Sequence, residues 1–164
     1  MPGDSPSLSF PPPEVFRPSP FRPRWIPANF LRPAQEPVID SKTFAATLAR
    51  WCHDKKAEDL AIYAVSERLG LADYFLIATG LNKNHVRALE NELHVQAKAI
   101  GQRHQPTEGH DLHWWVILDF GDVVVHLMQA EARTYYDLDR LYADCARLDW
   151  EAVPVVDGLH AAKA

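Results

Sequence analysis

Residues 114–128 read Trp-Trp-Val-Ile-Leu-Asp-Phe-Gly-Asp-Val-Val-Val-His-Leu-Met, and no other segment constrains the fold as tightly. Two runs rich in β-branched and aromatic residues flank Asp119-Phe120-Gly121-Asp122. That pattern predicts an antiparallel hairpin in which Gly121 supplies the turn. Trp114 and Trp115 are neighbours, so on one strand they are expected to point to opposite faces. Upstream, Leu60–Val65 and Tyr74–Thr79 read as further strands. The second is almost continuously apolar, as a central strand covered on both faces would be.

Helices fill the intervals. Ser41 is placed to cap a helix whose apolar positions Phe44, Leu48, Trp51 and Cys52 share one face. Asn82 is placed to cap a longer one, Lys83 to Gly101, with Val86, Leu89, Leu93, Ala97 and Ile100 as its buried stripe. Residues 102–112 form a polar loop with a short extended piece near Gln105–Glu108. After the hairpin a helix is expected over Ala130–Tyr142, with Leu138, Leu141 and Tyr142 toward the core, continuing through Ala143–Trp150. The order α-β-β-α-(β)-β-β-α implies an α/β (α+β) domain: a mixed sheet with packed helices.

Eleven of the 13 prolines lie at or before Pro37. The expected organisation is therefore a disordered Pro-rich arm over 1–40, a folded domain over 41–150 and a flexible tail over 151–164. Residues 1–40 carry four Arg and four acids, so the net charge of −5 sits on the rest. Residues 111–151 hold nine acids against three Arg. Such a field repels nucleic-acid backbones and attracts basic partners, although a local basic patch can survive inside it. No apolar run is long enough for a membrane helix. Cys52 and Cys145 sit in apolar helical patterns, as small buried hydrophobes in a reducing cytoplasm would.

Reaction centres are hard to find. There is no Walker loop, no Gly-x-Gly-x-x-Gly and no nucleophile elbow. His110, His113 and His126 lack the further ligand spacing of a zinc site. Asp137 and Asp139 have the spacing of a two-metal carboxylate pair, but that pair works on a strand, and here the segment reads as helix. Asp119 and Asp122 are explained by turn chemistry alone. No metal and no cofactor are expected. What remains is an acidic, aromatic-bearing hairpin and helix, suited to anchoring a basic protein.

Three ordered motifs resemble one family. Ala72-Asp73-Tyr74-Phe75-Leu76-Ile77-Ala78-Thr79-Gly80 with His85 is similar to its ADYFVIATG…H motif. Glu108-Gly109 followed by Trp115 to His126 is similar to EG…WVLLDFGDVVVHVF. Arg133-x-x-Tyr136-Asp137-Leu138-Asp139-x-Leu141 is similar to RxxYxLExLW. The family is the ribosomal silencing factors, RsfS or Iojap-like, and the resemblance covers about residues 42–143. It implies a nucleotidyltransferase-like fold without catalytic carboxylates. It also implies a non-enzymatic role: binding the large ribosomal subunit through ribosomal protein uL fourteen, blocking subunit association and repressing translation. A homodimer is compatible with it. The competing readings are a nucleotidyltransferase-like or metal-dependent enzyme and an adaptor recruiting through the Pro-rich arm.

Trp115, Asp119 and Tyr136 are the expected contact residues, with Ile117 on the same strand face. Asp73, Tyr74 and His126 are further candidates. Arg133 is expected to pair with Asp122 or Asp119, tying hairpin to helix. His85 is placed to bond the hairpin. Asp139 and Tyr142 depart from the family's Glu and Trp and are expected to alter partner contact at that helix end. Deleting residues 1–38 is expected to leave co-sedimentation with large ribosomal subunits unchanged; loss of binding would favour the adaptor reading.

Overall fold

The computed structural model describes residues 39–155. The expected arm therefore lies almost wholly outside the described residues, as do 156–164. The elements are α1 (Ser41–Asp54), β1 (Glu58–Ala64), α2 (Ser66–Leu69), β2 (Tyr74–Gly80), α3 (Lys83–Ala99), β3 (Trp115–Asp119), β4 (Val123–Gln129), α4 (Ala130–Tyr136) and α5 (Leu138–Leu141). The strands form one mixed sheet in the order β1-β2-β4-β3. β1 pairs antiparallel with β2, β2 parallel with β4, and β3 antiparallel with β4. The hairpin is thus present, with Gly121 at φ +90° in its turn. β2 lies between two partners, and Leu76 and Ile77, on its opposite faces, are both fully buried.

One face of the sheet is roofed by α1 and α3. Leu76, Ala78, Val116, Leu118, Val123, Val125 and Leu127 pack there against Phe44, Leu48, Trp51, Val86, Leu89 and Leu93. Burying a side chain of the Leu class contributes roughly 1.5–3 kcal/mol, so this layer is the main stabilising block. α1 is buried well beyond its predicted stripe, since Ala45, Ala46, Thr47 and Ala49 are also enclosed. Its N-cap is Asp40, not Ser41: the Asp40 carboxylate accepts from the Thr43 amide at 2.9 Å. α3 has the predicted cap, Asn82, and ends before Gly101 at φ +80°.

The C-terminal half departs from expectation. The single helix over 130–142 is broken at Asp137, which adopts a left-handed conformation (φ 48°, ψ 51°) and separates α4 from α5. Leu138 and Tyr142 are buried, but Leu141 is half exposed. Residues 143–150 are not helical. Instead Arg147 bridges Tyr63, the Ala64 amide donates to Ala146 O, and the Leu148 amide donates to Ile62 O. Cys145 accordingly lies in a bend, half-buried. Residues 151–155 stay against the domain: Val153 is buried, and Arg50 Nη2 donates to the carbonyls of Trp150 and Val153.

The other sheet edge is also covered. Glu108 and Ile117 exchange backbone hydrogen bonds, and the Gln105 amide donates to Asp119 O at 2.8 Å. The extended piece expected at 105–108 is therefore a strap along β3. Its turn depends on Gly109. At φ +83°, a Cβ here would stand 2.0 Å from the Trp115 carbonyl oxygen, a backbone atom that cannot step aside. Gly109→Ala is expected to lower stability by about 2 kcal/mol or more, read as a reduced denaturation midpoint in the purified protein.

Candidate functional site

The second face of the sheet is only partly roofed. α4, α5 and the segment after them cover Tyr63, Ile77 and Met128. On β3, Val116 and Leu118 are buried beneath the helices, whereas Trp115, Ile117 and Asp119 stand half-buried on the open side. Beside them lie Val124 and His126 of β4 and Phe75 of β2, in register: Ile117 opposite His126, and Phe75 opposite Val124.

Aromatic rings form a continuous train across this face. Tyr136 packs on Trp115 with ring centres 4.5 Å apart, and Trp115 packs on His126 at 5.8 Å. His126 meets Phe75 at 4.9 Å, and Phe75 meets Tyr142 at 5.2 Å. Trp114 does not turn to the opposite face as expected. It sits in the bend before β3, free of strand alternation, and joins Tyr136 at 5.7 Å and Tyr135 at 6.1 Å. Tyr135 is 75% exposed and Leu112 73%. The result is an apolar, ring-rich platform carrying Asp119, Asp122 and Glu131 on nearby elements. Large rigid rings rimmed by charge are what strong protein interfaces use as anchors.

Arg133 holds the platform's helical side. Its guanidinium makes a fork to Asp139, Nε to Oδ2 at 2.9 Å and Nη2 to Oδ1 at 3.0 Å, while Nη1 donates to Thr79 Oγ1 and to the Asp59 carbonyl. The pairing expected with Asp122 or Asp119 does not form. Asp119 instead accepts from the Gly121 amide at 2.8 Å. The exposed Asp122 offers its backbone carbonyl to the amides of Asp73 and Tyr74. So Arg133 ties α4 to α5 and to the β1–β2 end of the sheet, not to the hairpin turn. Asp139 also accepts from the Tyr63 hydroxyl at 2.7 Å. Burial alone pushes the Asp139 carboxyl up, but the bonds from Arg133 and Tyr63 outweigh it and the net direction is down. Tyr142 is thus an interior residue, while Asp139 is half-buried and held by Arg133 and Tyr63.

The remaining candidates divide. Tyr74 packs on the opposite side of the sheet, against the core under α1 and α3, so it does not share the platform with Trp115. Asp73 sits at the β2 entrance, where its carbonyl accepts from the Val65 amide. His85 does not bond the hairpin: its Nδ1 accepts from the Leu81 amide and its Nε2 donates to Lys55 O, clamping α3 to the end of α1. Trp114 and Tyr135, two of the rings of the acidic hairpin and helix, belong to the platform, as do Phe75 and Val124, which no sequence motif marks as contact residues. The signal for Phe75 and Val124 was strand alternation, which places both on the side of His126.

His110 pairs with Asp111, His113 with Glu90 and His126 with Trp115, so the three histidines serve separate places. Among the described residues no group of three or more His, Cys, Asp or Glu is arranged to hold a metal. Burial pushes the Cys52 thiol up to about 12.

Among the described residues the geometry is that of an α/β domain with one sheet face roofed by helices and the other left partly open as an aromatic platform. Comparison with known proteins names the family. The model of the family described as "Ribosomal silencing factor during starvation" matches residues 38–163, and the chain belongs to that family. It is 36% identical over 111 residues to the ribosomal silencing factor RsfS of Bacillus subtilis, covering 68% of this chain and 94% of that one. It is 30% identical over 115 residues to the mouse protein named mitochondrial assembly of ribosomal large subunit protein 1, covering 68% of this chain and 50% of that one. A crystal structure from Chromobacterium violaceum superposes with a TM-score of 0.59 at 32% identity, over 70% of this chain and 94% of that one.

His126 lies at the centre of the platform. The Trp115 indole N–H donates to its Nδ1 at 3.1 Å, which places the proton of the neutral ring on Nε2, a buried atom with no partner. Burial pulls its pKa down to about 4. The unfolded chain then binds this proton more readily, so stability rises with pH between about 4 and 6.5 and is lost on acidification through that window. His126→Phe is expected to flatten this part of the stability–pH curve, measured by denaturant unfolding at several pH values.

Proposed function

We propose that the open face formed by Trp115, Ile117, Asp119 and Tyr136 docks on ribosomal protein uL fourteen of the large ribosomal subunit and blocks the small subunit from joining, so that translation is repressed. The observation that carries this reading is the ring train itself. Its exposed rings form an apolar surface on an acidic chain, on the sheet face that α1 and α3 do not roof. A basic ribosomal protein is complementary to it in charge, and exclusion by bulk requires no catalytic group. His126 supports the surface from beneath by fixing the Trp115 ring, and Asp73 and Asp122 lie at its rim. The work of such a protein belongs in the compartment where ribosomal subunits meet, the cytoplasm of a bacterium.

The reading is tested with purified particles. Large subunits saturated with the protein and mixed with small subunits are expected to sediment as separate particles; normal joining would overturn the proposal. Trp115→Ala is expected to weaken large-subunit binding by about 2 kcal/mol, some thirtyfold, as interface aromatic anchors do, while the far-ultraviolet circular dichroism stays native. Binding undiminished in that variant would remove the platform from the interface.

A further inference from the structure

A second surface has the opposite chemistry. At the C-terminal end of α3, a cavity of about 230 Å³ is lined by His94, Lys98, Gln102, Arg103 and His104. Every lining side chain is a hydrogen-bond donor, and none is a carboxylate, in a chain whose net charge is −5. Lys98 and Arg103 make no ion pair among the described residues, unlike Lys55, Arg68 and Arg133. A cation in a helix's last turn complements the carbonyl end of the helix dipole, which accounts for Lys98 but not for Arg103 in the loop beyond.

Hydrogen bonds link the two histidines of the cavity wall. His104 Nδ1 donates to Gln105 O at 2.6 Å, which leaves Nε2 to accept from His94 Nδ1 at 2.9 Å. The His104 ring also stands edge-on to Phe120 at 5.4 Å, and Phe120 stands edge-on to Phe44 of the core at 5.2 Å. The two imidazoles thus form a hydrogen-bonded wall, and Lys98 and Arg103 supply the charge. Gln105 is bonded to Asp119, at the far end of β3 from Trp115. A five-residue strand spans about 14 Å, and α3 lies on the sheet face opposite the platform, so a particle that meets both surfaces reaches around the β3 edge.

We propose that this pocket holds the phosphodiester backbone of RNA. The inference rests on the docking reading above: a basic protein embedded in a ribonucleoprotein surface has phosphates at its rim, and an acidic chain needs a local cationic patch to lie against them. Lys98 and Arg103 meet the phosphate oxygens, Arg by its fork and Lys as a point charge. The negative field of the whole chain argues against RNA as the main partner, and the pocket is the local exception to it.

The double variant K98Q/R103Q tests this, since both side chains are exposed and hold no internal partner. Its affinity for large subunits is expected to fall, with the slope of log K against log salt reduced by roughly 1.5, because two phosphate contacts release fewer counterions. Trp115→Ala is expected to lose affinity with its slope unchanged. A double variant with wild-type affinity and slope would overturn the pocket while leaving the platform in place. If the wild-type protein fails to bind large subunits, the docking reading falls, and a single-stranded RNA hexamer then decides the pocket alone. The hexamer is expected to shift the NMR resonances of His94 and His104 at fixed ionic strength, and K98Q/R103Q to abolish the shift. No shift with the hexamer, or an equal one with inorganic phosphate, would overturn RNA as the occupant.

Discussion

The parallel pairing of β2 with β4 is the constraint from which the rest of the molecule follows. Seven consecutive pairs, Tyr74 with Val123 through Gly80 with Gln129, set two apolar strands side by side. Parallel neighbours need a long crossover, and here it comprises α3, the polar loop and β3. That route puts α3 beside α1 on one face and returns the hairpin on the outside of the sheet. Because alternate residues of β2 and β4 face opposite ways, the register also decides what the uncovered side displays. Leu76, Val125 and Leu127 go under the helices, while Phe75, Val124 and His126 come to the platform.

Much of this was legible in the residues. The hairpin, the central strand and the cap and stripe of α3 are local patterns, in which turn chemistry and periodicity agree with the tertiary answer. The failures came where distant contacts overrule local preference. Residues 143–150 have helical spacing, but β1 needs hydrogen-bond partners on its outer edge, and Ala146 and Leu148 supply them. Asp137 breaks the preceding helix, and the segment beyond it brings Asp139 to Arg133. The sequence motif contained both members of that ion pair but not the bend that joins them, so nearby carboxylates in the hairpin were equally eligible.

The platform shows the same division. Trp115, Ile117 and Asp119 were recognisable as one strand face by simple alternation. Tyr74, a further candidate from the β2 motif, faces the other way, and its neighbour Phe75 is the ring that reaches His126. His126 shows how such a surface is supported. A buried imidazole with one unpartnered nitrogen is a costly foundation, yet it orients the Trp115 indole through a single hydrogen bond. Arg133 does the corresponding work from the helical side, through a fork to Asp139 and a bond to Thr79.

Both margins of the sheet carry a strap, residues 105–108 outside β3 and residues 146–148 outside β1. Bare strand margins invite any extended peptide to zip on through its main chain, with little regard for side-chain identity. With both closed, recognition falls to side chains presented face-on. In the docking proposed above, selectivity is then written in a handful of rings and carboxylates that point mutation can retune one at a time, and the same closure removes the commonest template for runaway self-association.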